Sequence, residues 1–294
     1  MRLPDAPYEV LHILLAARVE TGRRLVEMVA VWGYVQRNYF LTKRYFMWEV
    51  VWLVYITANA MAITFIGAGV KSVSGAKVDT AYLMTFLMVG ALIWSYLSVL
   101  FDVLSETVSW ERWEGTIEYT FMSPSSRVTH LLGMGVYAVV YGIAQIAIML
   151  GVVSLFFELD LSEANYWGAL LVLAVCSVSL VGFGIVAAVL PLLSPEKGQQ
   201  VSYIVSSLLL LVSGVYYPVS VLPGWMQAIA TVSPVTYALE GSRQALLEGA
   251  GVAQLWHDIW PLLIMGVVFV PLGLWVFHLG EGYAKRTGKL KRSG

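Results

Sequence analysis

Charge is scarce in this chain. Asp, Glu, Lys and Arg make up 13% of its 294 residues, about half the share carried by a soluble domain. Hydrophobic residues reach 59% and the mean hydropathy is +0.74, so lipid rather than water is the main solvent. Cys176 stands alone inside an apolar run, which excludes an internal disulfide. The four histidines are scattered and argue against a zinc centre. No H-E-x-x-H, G-x-S-x-G or G-x-x-x-x-G-K-[ST] occurs, so the signatures of a zinc protease, a serine hydrolase and a phosphate-cradling loop are missing. Neither enzymatic activity nor a metal or cofactor is expected. A net charge of −1 gives no pointer to nucleic acid, and none is expected as a partner. The start does not read as a secretory signal: Asp5 and Glu9 come early, and Arg18, Glu20, Arg23 and Arg24 interrupt the apolar residues.

Long apolar runs are abundant instead. A helix needs roughly 20 apolar residues to cross the hydrocarbon layer. Six stretches qualify: Trp48–Val70, Ala81–Phe101, Leu131–Phe157, Tyr166–Leu190, Val201–Tyr217 and Ile259–Leu279. They are continuous rather than alternating, which favours helices over barrel strands. The fold class expected is an all-α integral membrane protein with six transmembrane helices. Residues 1–47 form an N-terminal segment, 48–280 the membrane domain and 281–294 a basic tail.

Lysine and arginine set the orientation. Arg2, Arg18, Arg23, Arg24, Arg37, Lys43 and Arg44 precede the first run, and Lys285, Arg286, Lys289, Lys291 and Arg292 follow the last. Both ends are therefore expected in the cytoplasm. Six spans then put Arg112, Arg127 and Lys197 inside too, leaving only Lys71, Lys77 and Arg243 outside. The stretch from Tyr8 to about Phe46 mixes apolar and basic residues and suits a helix along the inner membrane face, near anionic headgroups.

The spans themselves hold little that ionises. Glu49, Asp102, Glu158 and His278 sit near run ends, while the deeper Asn59 and Gln145 are neutral and expected in interhelical hydrogen bonds. A midplane carboxylate to couple an ion gradient is missing, which disfavours a secondary transporter. No arginine series suggests a voltage sensor. His257 and Asp258 read as a polar lead into the last span.

One segment breaks the pattern. WERWEGTIEYTFMSPSSR, residues 110–127, is dense in charge and sharply ended. Glu106 to Met122 can form one helix, with Ser105 or Ser109 as cap and Pro124 as its stop. Glu111, Glu114 and Glu118 recur at steps of three and four and share one face. Trp113, Ile117 and Phe121 lie on a neighbouring one. Gly115 permits either a close backbone approach or a break between two helical pieces. An acidic cytoplasmic face offers a grip to a soluble partner's arginines; a plain solvated connector is the alternative.

From Glu106 to Arg127, E-x-x-x-x-E-R-W-E-G-T-I-E-Y-x-x-x-S-P-x-S-R resembles the signature of ABC-2-type export permeases, which carry an acidic run, G-T-[LI]-E and S-P-x-S-R between the second and third spans. Ser213 to Leu246, SGVYYPVSVLPGWMQAIATVSPVTYALEGSRQAL, is similar to that family's stretch between the fifth and sixth spans. The likeness covers about residues 31 to 280.

The resemblance implies a coupling helix at Glu106, Glu111, Trp113, Glu114, Gly115, Thr116 and Glu118, docking on an ATPase subunit. It implies re-entrant helices forming an outer gate at Pro218, Pro223, Trp225, Pro234, Tyr237, Glu240 and Arg243. Glu240 and Arg243 either pair or stand as independent charges. Partners implied are two copies of a nucleotide-binding subunit, which would hold ATP and magnesium, and a second permease copy, the same chain or a related one. The place implied is the plasma membrane of a prokaryote. Gly182, Gly184, Ala187 and Ala188 give the fourth span a small-residue face for close helix packing.

Cargo is the least legible part. Trp52, Tyr55, Asn59, Tyr216 and Tyr217 are candidates to line a path, although aromatics at span ends also form interfacial belts. An apolar, uncharged interior favours a drug or lipid-like cargo over a polysaccharide or glycolipid. A membrane scaffold that recruits a cytoplasmic partner without transporting anything is the reading from another class.

Overall fold

The computed structural model describes residues 26–74, 79–123, 125–157 and 163–288. Among them every regular element is helical. Helix α1 covers residues 26–44. It is followed by α2 (Phe46–Ser74), α3 (Thr80–Ser105), the short α4 (Thr107–Glu114) and α5 (Ile117–Met122), α6 (Arg127–Val153), α7 (Tyr166–Leu193) and α8 (Pro195–Val212). A single 3-10 turn at Val219–Val221 leads to α9 (Gly224–Ala230), α10 (Pro234–Leu247) and the long α11 (Val252–Arg286). The expected contributions of Arg2, Arg18, Arg23, Arg24, Lys77, Pro124, Glu158, Lys289, Lys291 and Arg292 lie outside the described residues.

Among the described residues, five helices are long and apolar enough to cross a membrane: Phe46–Gly69, Thr80–Ser105, Arg127–Val153, Tyr166–Leu193 and Val252–Arg286. The chain is thus a multi-pass membrane protein. The expected fifth span, Val201–Tyr217, is the difference. Its helix stops at Val212, and its apolar part, Gln200–Val212, is shorter than the others. Gly214 explains the stop: with φ +73 it takes the left-handed conformation that closes a helix. The last span is longer than expected and carries Pro261 and Pro271 inside it.

Three of the long helices, α3, α6 and α7, start on side-chain caps. The Tyr82 amide donates to Asp79 Oδ1 at 3.1 Å, the Thr129 amide to Ser126 Oγ at 3.0 Å and the Gly168 amide to Asn165 Oδ1 at 2.9 Å, each satisfying an amide that the first turn leaves free.

The core gathers on α3, which packs against α2, α6, α7, α8 and α10. Met88, Ile93, Tyr96, Leu97, Leu100 and Phe101 are fully buried there. Neutral polar groups stitch this core together. Gln145 Nε2 on α6 donates to Ser95 Oγ on α3 at 2.9 Å, and the Tyr96 hydroxyl meets Ser177 Oγ on α7 at 2.6 Å. Gln145 therefore makes the expected interhelical bond. Asn59 does not: its Nδ2 donates to Tyr55 O of its own helix, 2.8 Å away.

The small face of α7 does pack closely, but within this chain. A Cβ on Gly182 would come 2.5 Å from the Phe269 and Val270 backbone of α11, and one on Gly273 would come 2.6 Å from Gly182 O. Gly184 faces Leu104 of α3, and Ala188 is fully buried. Small residues let two backbones approach where lipid supplies no hydrophobic drive. Gly182→Val should therefore part α7 from α11, at a cost of about 1–3 kcal/mol or more. Gly151→Val, with nothing within 4 Å of its added Cβ, should leave stability nearly unchanged. Retention of the monodisperse species after heating in detergent compares the two.

Candidate functional site

The charged segment folds as two helices, not one. Gly115 ends α4 with φ 74, and its amide and that of Thr116 bond back to the Arg112 and Glu111 carbonyls at 3.2 and 2.8 Å. This left-handed turn needs glycine. It also rotates α5 relative to α4, so the three carboxylates do not share a face. Glu111 is 1% exposed, Glu114 is half-buried and Glu118 is exposed.

Glu111 is the root of the segment. Its Oε1 accepts from Arg37 Nη1 of α1 at 2.8 Å and from Thr120 Oγ1 of α5 at 3.2 Å, and lies 3.0 Å from His130 Nε2 of α6. Arg37 also reaches Thr116 Oγ1 at 3.3 Å and Glu114 at 3.8 Å. Burial pushes the Glu111 carboxyl up, but His130 and Arg37 outweigh it and hold the group below the ordinary glutamate range. Beside it, buried Arg112 donates from Nη2 to Leu192 O at the end of α7, 3.1 Å away. Glu106 is buried at the bend between α3 and α4.

The S-R at 126–127 has a local role. Ser126 caps α6, while Arg127 closes α5. The Arg127 Nη atoms donate to the Thr120 and Phe121 carbonyls at 2.6 Å each, its guanidinium lies over the Phe121 ring, and Nε donates to Glu281 of α11 at 3.2 Å. Lys285 Nζ joins Glu281 at 2.7 Å.

Helix α1 turns its polar side inward. Glu27 meets Thr129, Tyr34 meets Ser125, Arg37 meets Glu111, Asn38 donates to Met134 Sδ and Thr42 meets Tyr137. Gly133 of α6 lets it approach, since a Cβ there would come 2.6 Å from Tyr34 Cβ. Val29, Trp32, Tyr39 and Phe40 face outward. Arg37, counted from sequence among residues favouring headgroups, is thus engaged inside the protein.

What the α4–α5 pair presents outward is mostly large and apolar, with one exposed carboxylate. Trp113 is 64% exposed, Tyr119 78% and Met122 82%, with Trp110 edge-on to Trp113 and Glu118 beside them. The expected acidic face is replaced by a buried acidic root beneath an aromatic cap.

At the opposite end of the bundle the chain between α8 and α11 breaks into short pieces. Pro223 precedes α9 and Pro234 opens α10. Trp225 and Pro218 are exposed, while the Tyr237 hydroxyl donates to Thr231 O at 3.0 Å. Arg243 does not pair with the exposed Glu240. It is buried, and donates to Gly214 O at 2.8 Å and Val215 O at 2.5 Å. Trp52 and Tyr55 stack at 5.4 Å on the exposed side of α2, with Asn59 on the same helix. Tyr216 packs partly on the core instead, and Tyr217 donates to Leu211 O. These residues therefore do not form one lining within a single chain.

Sequence reasoning missed Arg37, His130, Arg112 and Glu281 as members of the α4–α5 root. Arg37, His130 and Glu281 stand well along the chain from Glu111, and no spacing signals their convergence; Arg112 is its neighbour in sequence, but its acceptor, Leu192 O, is 80 positions away.

The carboxyl of Glu111 is depressed, so its stabilisation is present above the ordinary glutamate range and is lost as pH falls through the folded-state value. Glu111→Gln should lower the thermal midpoint in detergent by an amount that is constant from neutral pH down to about 5 and shrinks below about 4. In a double-mutant cycle with Arg37→Ala, a coupling of about 1–3 kcal/mol is expected.

Residues 28–247 match the ABC-2 type transporter family. The probable multidrug ABC transporter permease YbhR of Escherichia coli strain K12 is 26% identical over 166 residues, covering 55% of this chain and 44% of that protein. The daunorubicin resistance ABC transporter permease protein DrrB1 of Streptomyces coeruleorubidus is 31% identical over 166 residues, 54% of each. The chain spans about half the length of the curated relatives it matches. Since the family match runs through α1, the α4–α5 segment and α10, this chain belongs to the ABC-2 type transporter family.

Proposed function

We propose that the chain is the transmembrane permease subunit of an ATP-driven exporter. It moves an amphiphilic drug or lipid-like substrate out across the plasma membrane of a prokaryote. A separate nucleotide-binding subunit, present in two copies with its own ATP and magnesium, drives it, and a second permease copy, most simply the same chain, completes the path. Residues 48–280 form the membrane domain, flanked by the N-terminal segment 1–47 and the basic tail 281–294. Helix α8 is the sixth crossing, with both termini cytoplasmic and α9–α10 re-entrant from the outer face.

One observation carries this reading: a polar, buried root that fixes α4 and α5, under an exposed cap of Trp113, Tyr119 and Met122. A surface of large apolar residues on a rigid base suits protein recognition. Placed in the cytoplasm by the positive-inside asymmetry, it is a handle for the ATPase. Glu106, Glu111, Gly115 and Thr116 build that handle, while Trp113, Glu114 and Glu118 lie where a partner can meet them. The names of the relatives support a drug-like cargo. The stacked Trp52–Tyr55 pair favours a glycan as the second candidate, because sugars pack on aromatic faces.

Tyr119→Arg or Trp113→Ala should weaken association with the ATPase subunit tenfold or more, equivalent to about 1.4 kcal/mol, while membrane insertion stays normal. Co-purification from membranes measures this. If Trp113→Ala combined with Tyr119→Arg and Glu118→Arg recovers the subunit at the unmodified level, the handle is misplaced.

A further inference from the structure

The end of α8 is held by a socket that neither the charged segment nor the apolar runs explain. Arg243 is the only basic residue of α10, and only 7% of it is exposed. Its two Nη atoms donate to Gly214 O and Val215 O, just past the last residue of α8, Val212. Its Cζ stands 3.7 Å from the centre of the Phe86 ring on α3. Gly90, one turn further along α3, forms the floor. A Cβ there would come 2.2 Å from Val215 O and 2.4 Å from Arg243 Nη2.

The chemistry of the fit is specific. Carbonyls in the turn that follows a helix have no intrahelical donor and lie close to the negative end of its dipole. A guanidinium presents a planar fork that can serve two of them at once, and its weak hydration lets it lie on an aromatic face. Burying this cation without its acceptors is costly. The socket is therefore either engaged or fully parted.

We propose that Arg243 is a positioning residue that clamps the end of α8 to α3 and α10, and that this clamp parts when the outer end of the transport path opens. The opening itself rests on the export reading above; the clamp does not. The other end of α8 begins at the α7–α8 elbow, where Arg112 of α4 holds Leu192 O. A partner that displaces α4 thus reaches α8 at one end, and the clamp resists at the other. Phe86 and Gly90 belong to the clamp, whereas exposed Glu240 does not.

The test uses the full chain with Cys176→Ala, so that a single new cysteine reports. Val215→Cys, at a fully buried position, is labelled with a membrane-impermeant maleimide on intact cells. With Arg243 present, labelling should be slow. Arg243→Gln and Gly90→Ala should each raise the rate about tenfold, about 1.4 kcal/mol in the opening equilibrium. Gly90→Ala keeps the charge, so agreement between the two assigns the effect to the socket. Leu104→Cys, buried at the α4 end, should stay unreactive to a permeant maleimide in all backgrounds. Equal labelling at 215 in all three backgrounds overturns the proposal, and so does reactivity at 104 rising in parallel, which means general loosening. With the ATPase subunit supplied, ATP should speed labelling at 215 in the Arg243 chain and add little in Arg243→Gln. If both variants open but ATP leaves the Arg243 chain unmoved, the clamp stands and the export reading fails.

Discussion

A carboxylate buried at the edge of a membrane cannot remain alone. The ion costs far too much to desolvate unless charge and hydrogen bonds return what water gave it. Glu111 meets this constraint with Arg37, Thr120 and His130, drawn from three different helices. Because these partners come from separate helices, the positions of α1, α4, α5 and α6 are tied together at one carboxylate oxygen. The arginines around it extend the frame: Arg112 ties α4 to the end of α7, and Arg127 ties α5 to α11 through Glu281. Two helices of eight and six residues, too short to be stable by themselves, are fixed to the membrane domain in this way.

That frame decides what remains outside. Since Glu111, Arg112 and Thr120 are engaged inward, the surface of α4 and α5 is dominated by Trp110, Trp113, Tyr119 and Met122, with Glu118 the exposed charge among them. The same inversion occurs in α1, whose polar side faces the protein and whose aromatic side faces away. In the proposed role of a handle, load on the cap would pass to the buried ionic bonds of Glu111. At the far end of the bundle the problem recurs with the sign reversed: buried carbonyls in the turn just past α8 meet a cation, Arg243.

Much of this was legible in the residues. Five of the six continuous apolar runs located helices long enough to cross a membrane, because lipid demands both length and internally satisfied backbone. Gly115 marked a possible break, and the structure uses it as one. The prolines at 223 and 234 marked the short pieces α9 and α10. Side-chain direction was not legible. A helical-wheel argument put Glu111, Glu114 and Glu118 on one face, but it assumes an unbroken helix, and a single left-handed residue cancels it. Arg243 looked able to pair with Glu240 at a spacing of three, yet the Gly214 and Val215 carbonyls just past α8 hold it from 29 and 28 positions away. The α7 glycines correctly signalled close packing, but not that α11 of the same chain would fill it. In each case the local signal was sound and a distant partner decided the outcome.

The account turns on the α4–α5 cap being the surface gripped by a soluble ATPase. The most direct measurement is site-specific photocrosslinking in native membranes, with the reactive group placed in turn at 113, 119, 122, 111 and 117. Adducts to a nucleotide-binding subunit from 113, 119 and 122, with none from the buried positions 111 and 117, are the predicted result. Adducts from 113, 119 and 122 to lipid alone would contradict the account.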